Sequence, residues 1–255
     1  MQIYTKESMT QALRDIRRMG WVKSSRPGNA GAVGNTLEDL LGIPENNLPI
    51  PNAREWELKC QRAASGSLTT LFHMEPSPRA LRLVPQVLLP KYGWPHETLP
   101  EEKSFRQTIS AVSRTDRGFA LVLDRPGQKL VVSFDAASVD RRHSEWLQSV
   151  AERVGLGELN PQPYWGLEDL RCKAGTKLPN CFYVQASCRR VGGAEYFSYE
   201  KILILEEFNF DRFLDAVERG TILVDFDART GHNHGTKFRL RQGSLPELYA
   251  SVCEV

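Results

Sequence analysis

The chain has 255 residues, 41% of them hydrophobic and 25% charged, with a formal net charge of +2. That is enough apolar material for one large core, or for two lobes around a cleft, and too much for a disordered chain. No apolar run reaches the ~18 residues of a membrane span, residues 1–21 are charged and amphipathic rather than a secretory leader, and the five cysteines form no CxxC pair, which together point to a cytoplasmic protein with free thiols.

A net charge of +2 cannot steer a polyanion, so any nucleic-acid binding has to rest on local basic clusters. Two exist. Arg14, Arg17, Arg18, Lys23 and Arg26 crowd the first stretch, and Arg229, Lys237, Arg239 and Arg241 the last, while Glu101–Glu102 and Glu206–Glu207 balance them elsewhere. Solvated faces of an ordinary enzyme give the same charge pattern.

In chain order, Met9, Leu13 and Ile16 at helical spacing predict an amphipathic helix over 6–19. A glycine-rich loop over 28–34 precedes a short helix over 36–41, capped by Asn35 or Thr36 and stopped by Gly42 and Pro44. Residues 45–52 are turn chemistry, and period-two alternation over 55–60 predicts a strand with Trp56 and Leu58 on one face and Glu57 and Lys59 on the other. A second strand is expected over 67–72 and a helix over 104–112. A hairpin of strands 119–123 and 130–134 is expected across Arg125–Gln128, then a helix over 144–154. An aromatic loop at Tyr164–Trp165 leads into a short helix through Leu170. Strands 181–188 and 196–205 should pair across Gly192–Gly193, with a helix over 210–218 after them. Strands 221–227 and 236–241 flank a loop over 230–235, and a last helix begins near Ser244. The mixture is α/β with mostly antiparallel strands and lacks a regular βαβ rhythm.

Glu57-Leu58-Lys59 is the sharpest chemical feature. A carboxylate and a lysine two apart on one strand face can hold a hard divalent cation and stand beside an attacking water, as phosphodiester cleavage requires. By itself the triplet is common, and a surface ion pair on a strand reads the same. The glycine loop is not a Walker A motif, since Asn35 stands where its lysine would be; it suits a DNA-backbone contact or simple flexibility. Cys60 follows Lys59 with its side chain on the core face, and no G-x-S-x-G elbow exists, so a Ser or Cys hydrolase finds no support. His232 and His234 form H-x-H with no third ligand placed nearby, which favours contact with a base edge or phosphate over a zinc site. His73 is expected to be structural.

Residues 34–43, Glu45-Asn46-Asn47, Glu57-Leu58-Lys59 and the later His234-Gly235-Thr236-Lys237-Phe238-Arg239 together resemble the MvaI/BcnI restriction endonucleases, relatives of the mismatch-repair nickase MutH. The blocks occur in the family's order near both ends of the chain. The resemblance implies an α/β, PD-(D/E)XK, MutH-like fold: a mixed sheet flanked by helices, with two lobes around a DNA cleft. It implies one nuclease domain over 1–255, the catalytic lobe mainly in the N-terminal half and the recognition elements mainly over 160–245. Glu57 becomes the metal-binding acid and Lys59 the lysine that orients and activates water. Glu38 matches a glutamate near the family's catalytic centre, and Mg²⁺ is the expected ion.

Asn52 departs from the family, which places Asp there as the second metal ligand. Asparagine keeps a ligating carbonyl oxygen but loses the charge that favours Mg²⁺. The chain is therefore a variant that still cleaves, with Glu38 or Glu55 in support, or an engineered Asp-to-Asn form, or a natural binder that does not cut.

In the C-terminal stretch, arginine can contact guanine O6 and N7, and aspartate can accept from cytosine N4. The family uses an Asp-x-Arg and a later Arg in this way, which implies Asp227, Arg229 and Arg239 as base-reading residues, with His232, His234 and Lys237 beside them. A charged hairpin stabilised by cross-strand pairs gives the same pattern. The expected activity is cleavage of duplex DNA at a short G·C-rich pseudopalindrome by a monomer, leaving 5′-phosphates, with a cognate DNA methyltransferase as genetic partner. The alternatives are a catalytically impaired DNA-binding protein of the same fold and a MutH-like nickase.

Overall fold

Met9, Leu13 and Ile16 line the buried face of α1 (Lys6–Arg18), whose first turn is closed by a Thr5–Ser8 capping box, in the computed structural model of residues 4–29, 31–43, 56–63 and 66–255. There follow β1 (Val22–Lys23), α2 (Ala32–Leu41), β2 (Trp56–Arg62) and β3 (Thr69–His73). After two short irregular turns come α3 (Leu89–Tyr92), β4 (Trp94–Pro95), β5 (Lys103–Ile109), β6 (Arg117–Asp124) and β7 (Lys129–Val139). The chain continues through α4 (Ser144–Val154), β8 (Tyr164–Gly166), α5 (Leu167–Lys177), β9 (Asn180–Val191), β10 (Ala194–Phe208) and α6 (Phe210–Glu218). It ends with β11 (Ile222–Arg229), β12 (His232–Leu240) and β13 (Tyr249–Glu254).

These elements form two compact units, one of residues 1–69, 174–212 and 241–255, the other of 70–173 and 213–240. The first is built on a sheet of order β1-β10-β9-β2, with β13 pairing β10 further along. β2 runs parallel to β9, and the other pairs are antiparallel. One face of this sheet carries Trp56, Leu58, Phe182, Val184, Phe197, Tyr199, Ile202 and Ile204, and α1 and α2 cover it with Met9, Leu13, Ile16, Val33 and Leu37. Tyr199 and Ile202 share that face because the register of β10 shifts between Tyr199 and Lys201, which accommodates one extra residue. The buried phenols donate to helix carbonyls, Tyr4 to Leu41 O at 2.7 Å and Tyr199 to Val33 O at 2.9 Å.

The second unit holds a sheet of order β3-β12-β11-β5-β4 and a three-stranded sheet β6-β7-β8. Its interior is aromatic: Phe105 meets Phe119 edge-on at 5.4 Å, Phe119 meets Phe134 at 5.1 Å, and Phe72 stacks on Phe238 at 5.0 Å. The buried indoles are satisfied, Trp146 donating to Tyr92 O and Trp165 to Met74 O, both at 3.0 Å.

The 6–19 helix, the strands 119–123 and 130–134, the 144–154 and 210–218 helices and the strands 181–188 and 196–205 form as expected, and the strand expected over 67–72 spans Thr69–His73. Several elements differ. Residues 104–112 are not helical: Phe105 and Ile109 are four apart, a spacing that suits a helix and a strand equally, and pairing with β11 selects the strand. The helix expected from Ser244 is a single turn, Leu245–Leu248, before β13 pairs with β10. α2 starts at Ala32 with Gly31 at its N-cap, so part of the glycine loop is helix and neither Asn35 nor Thr36 caps it. The aromatic pair Tyr164–Trp165 lies in β8, and α5 runs on to Lys177. The loop over 230–235 shrinks to a two-residue turn, because Arg229 already pairs with His232.

Candidate functional site

β2 alternates cleanly. Trp56, Leu58 and Cys60 face the helices, and Glu57, Lys59 and Gln61 face the other way. The Glu57 side chain is only 4% exposed, and Lys59 Nζ donates to its Oε1 at 2.7 Å. The second carboxylate oxygen, Oε2, is buried with no hydrogen-bond partner among the described residues. Parallel pairing sets Cys181 opposite Glu57 and Tyr183 opposite Lys59. Tyr183 donates to Gln61 Oε1 at 2.6 Å, which fixes the strand just beyond the lysine. Burial, then the nearby Cys181 and Glu57, push the Tyr249 phenol up, so it stays a neutral hydroxyl beside the pair.

A buried carboxylate oxygen with no donor, next to an ammonium, suits a hard divalent ion, which takes oxygen ligands. No group of three acidic, histidine or cysteine residues that could hold a metal exists among the described residues. The other expected ligand, Asn52, and the expected support from Glu55 lie outside the described residues. Glu38 is on α2, which packs on the opposite face of β2. Burial pushes the Cys60 thiol up, and the Glu38 carboxylate adds to the rise. That thiol is inert and belongs to the core.

The C-terminal candidates gather on one face of the β5–β11–β12 sheet. Asp225, Asp227 and Arg229 alternate on β11, opposite Thr108, Arg106 and Ser104 of β5. From sequence parity, His232 and His234 should face away from Lys237 and Arg239. A register shift between Phe226 and Ala228 inserts one extra β12 residue near Gly235, whose φ is +81°, and brings both pairs to the same face. The two imidazoles stack with centroids 6.4 Å apart.

This face is laced with ion pairs. Arg106 Nε meets Asp227 Oδ1 at 2.8 Å and Lys237 Nζ meets Asp227 Oδ2 at 3.0 Å. Arg229 Nη1 meets Glu102 at 2.6 Å, and Arg239 Nη1 meets Asp225 at 3.1 Å. Burial raises the Asp227 pKa, but Lys237, Arg106 and His234 outweigh it and hold the carboxyl below its ordinary range. Arg106, Gln107, Thr108, Asp225, Phe226 and Asp227 line a depression of about 560 Å³. The sequence singles out neither Arg106, Asp225 nor Glu102 as a site residue.

The profile of the MvaI/BcnI restriction endonuclease family matches residues 10–249. No curated protein matches the chain. Among solved structures, restriction endonuclease MvaI in complex with its cognate DNA substrate aligns with a TM-score of 0.78 at 22% identity, over 98% of this chain and 99% of that one. MvaI in the absence of DNA aligns with a TM-score of 0.54 at 20% identity, over the whole of both chains. Among the described residues, no helix is long and apolar enough to cross a membrane. With 240 of its 255 residues inside the family match, the chain belongs to the MvaI/BcnI restriction endonucleases, and its class is that of a type II site-specific deoxyribonuclease.

Proposed function

We propose that this chain binds duplex DNA at a short G·C-rich site and hydrolyses it with Mg²⁺, using Glu57 and Lys59, as a cytoplasmic monomer paired genetically with a DNA methyltransferase. The observation that carries the reading is the buried Glu57–Lys59 pair, whose second carboxylate oxygen has no partner among the described residues. Glu57 Oε2 would hold the ion with Asn52 as co-ligand, and the ion, when bound, supplies the Lewis acidity that polarises the scissile phosphoryl oxygen. Glu57 Oε1 anchors Lys59, so the ammonium stays in place to hold and orient a water for in-line attack, leaving a 5′-phosphate. Glu38, on the helix that packs against the other face of β2, is left out of this centre. On the reading face, Arg229 and Arg239 recognise bases, Asp227 stands among them, and His232, His234 and Lys237 contact bases or phosphates.

Supercoiled plasmid incubated with Mg²⁺ and either the chain or its Asn52→Asp form tests this. Discrete fragments from the chain mean that asparagine suffices. Cutting by Asn52→Asp alone makes the chain a sequence-specific binder of the same fold. Nicked circles without linear product favour a MutH-like nickase. If neither form cuts DNA rich in varied G·C sites, the nuclease reading fails. Lys59→Ala should abolish cleavage and leave binding intact.

A further inference from the structure

Resting on the proposed reading of the β5–β11–β12 face as a DNA-reading surface, we infer that Arg106 on β5 is a specificity-determining residue that reads a guanine, and that Asp227 is its positioning residue.

The four cations of this face are not equivalent. Arg229 and Arg239 each commit a terminal nitrogen, Nη1, to a carboxylate. Lys237 is 19% exposed and tied to Asp227 Oδ2. Arg106 is different: its closest approach to Asp227 is Nε to Oδ1 at 2.8 Å, neither Nη group makes a hydrogen bond among the described residues, and its side chain is 45% exposed. A guanidinium held at Nε by a fixed carboxylate keeps its planar fork oriented. Two Nη donors side by side match guanine O6 and N7, the pairing by which arginine reads G in the major groove. Holding the fork before DNA arrives reduces the rotamer entropy lost on binding.

Asp227 is itself fixed from both sides, by Arg106 on Oδ1 and Lys237 on Oδ2. Its carboxylate is kept charged by Lys237, Arg106 and His234 against the effect of burial. Antiparallel register sets Asp227 directly opposite Arg106, so the buttress is built into the sheet rather than into a loop. Both residues border the depression of about 560 Å³, which leaves space in front of the fork. The part first expected of Asp227, accepting from cytosine N4, gives way to that of orienting the arginine.

The test uses the full chain without cleavage. A randomised duplex pool is selected in Ca²⁺ buffer, and the enriched site is resynthesised with each guanine replaced in turn by 7-deazaguanine, which lacks the N7 acceptor and pairs normally. The chain should lose about tenfold in affinity at a guanine that Arg106 reads. Arg106→Ala and Arg106→Lys, with melting temperatures matching the parent, should bind the natural site about tenfold more weakly and become indifferent to 7-deazaguanine at that position. Asp227→Asn should blunt the same penalty.

If both Arg106 variants keep the parent's full 7-deazaguanine pattern, Arg106 reads no guanine and the inference is overturned. It is equally overturned if Arg106→Lys binds as the parent does, since that marks a phosphate contact. If the parent shows no penalty at any guanine, the face is not a guanine reader and the inference falls with it. A pool that yields no enriched site removes the underlying reading of the chain as a sequence-specific binder.

Discussion

Glu57 is buried to 4% exposure on a strand whose other face is apolar, and one of its oxygens has no donor among the described residues. Such an arrangement costs stability, because a charge taken from water regains the loss only when its lone pairs are satisfied. Lys59 is what makes the carboxylate tolerable. Lys59→Ala should therefore destabilise the protein by about 3 kcal/mol, and adding Glu57→Gln should recover most of that loss. Urea unfolding of the single and double variants checks it; an unchanged midpoint in Lys59→Ala would mean that the pair is solvated. Asp227 offers a second readout. Its folded pKa is lowered, so its contribution is fully present above the unfolded value of about 3.9 and is lost as pH falls through the folded value. The parent should lose more stability than Asp227→Asn between about pH 5 and pH 2, measured as the change in urea midpoint.

Elements show what one sequence can and cannot disclose. The Glu57–Lys59 face was legible because nothing interrupts the alternation of β2, and the 144–154 helix because its pattern admits a single period. Residues 104–109 were not legible as strand, since Phe105 and Ile109 fit both periods and only pairing with β11 decides. Nor was the shared face of His232, His234, Lys237 and Arg239 legible, because it depends on one extra residue in β12. Gly235 makes that possible. Its φ is +81°, and a Cβ there would come within 3.3 Å of His73 Cδ2 and 3.6 Å of Glu75 Oε1. Glu75 in turn accepts from the Thr236 amide at 3.0 Å and from its hydroxyl at 3.1 Å, pinning the strand after the shift. Gly235→Ala should cost about 1–2 kcal/mol for the left-handed backbone alone. A denaturation midpoint equal to the parent's would show that the backbone at this position relaxes freely.

For the molecule as a whole, a net charge of +2 is too small to draw DNA from a distance, so affinity has to come from contacts. The charged residues of the second unit's proposed reading face are largely paired with one another: Asp225, Asp227 and Glu102 each hold a cation. Non-specific DNA must compete with those carboxylates for the same arginines, whereas a cognate guanine can meet the Nη fork of Arg106 while Nε stays on Asp227. Salt separates the two ways of binding, because each phosphate contact releases counterions and steepens the dependence of log K on log salt by about 0.9. If the basic cluster around Arg14–Arg26, together with Lys237 and Arg241, meets phosphates, the slope for the selected site should be steeper than about −5. A slope near −2 would mean that only about two phosphates are contacted and that most of these basic residues are solvated faces. If Arg106 reads a base as proposed, Arg106→Ala removes a base contact and no phosphate contact, so it should lower affinity at every salt concentration and leave the slope as in the parent. Filter binding of the same duplex across a salt series measures both quantities, and a slope that flattens by about one in Arg106→Ala would move that residue from the bases to the backbone.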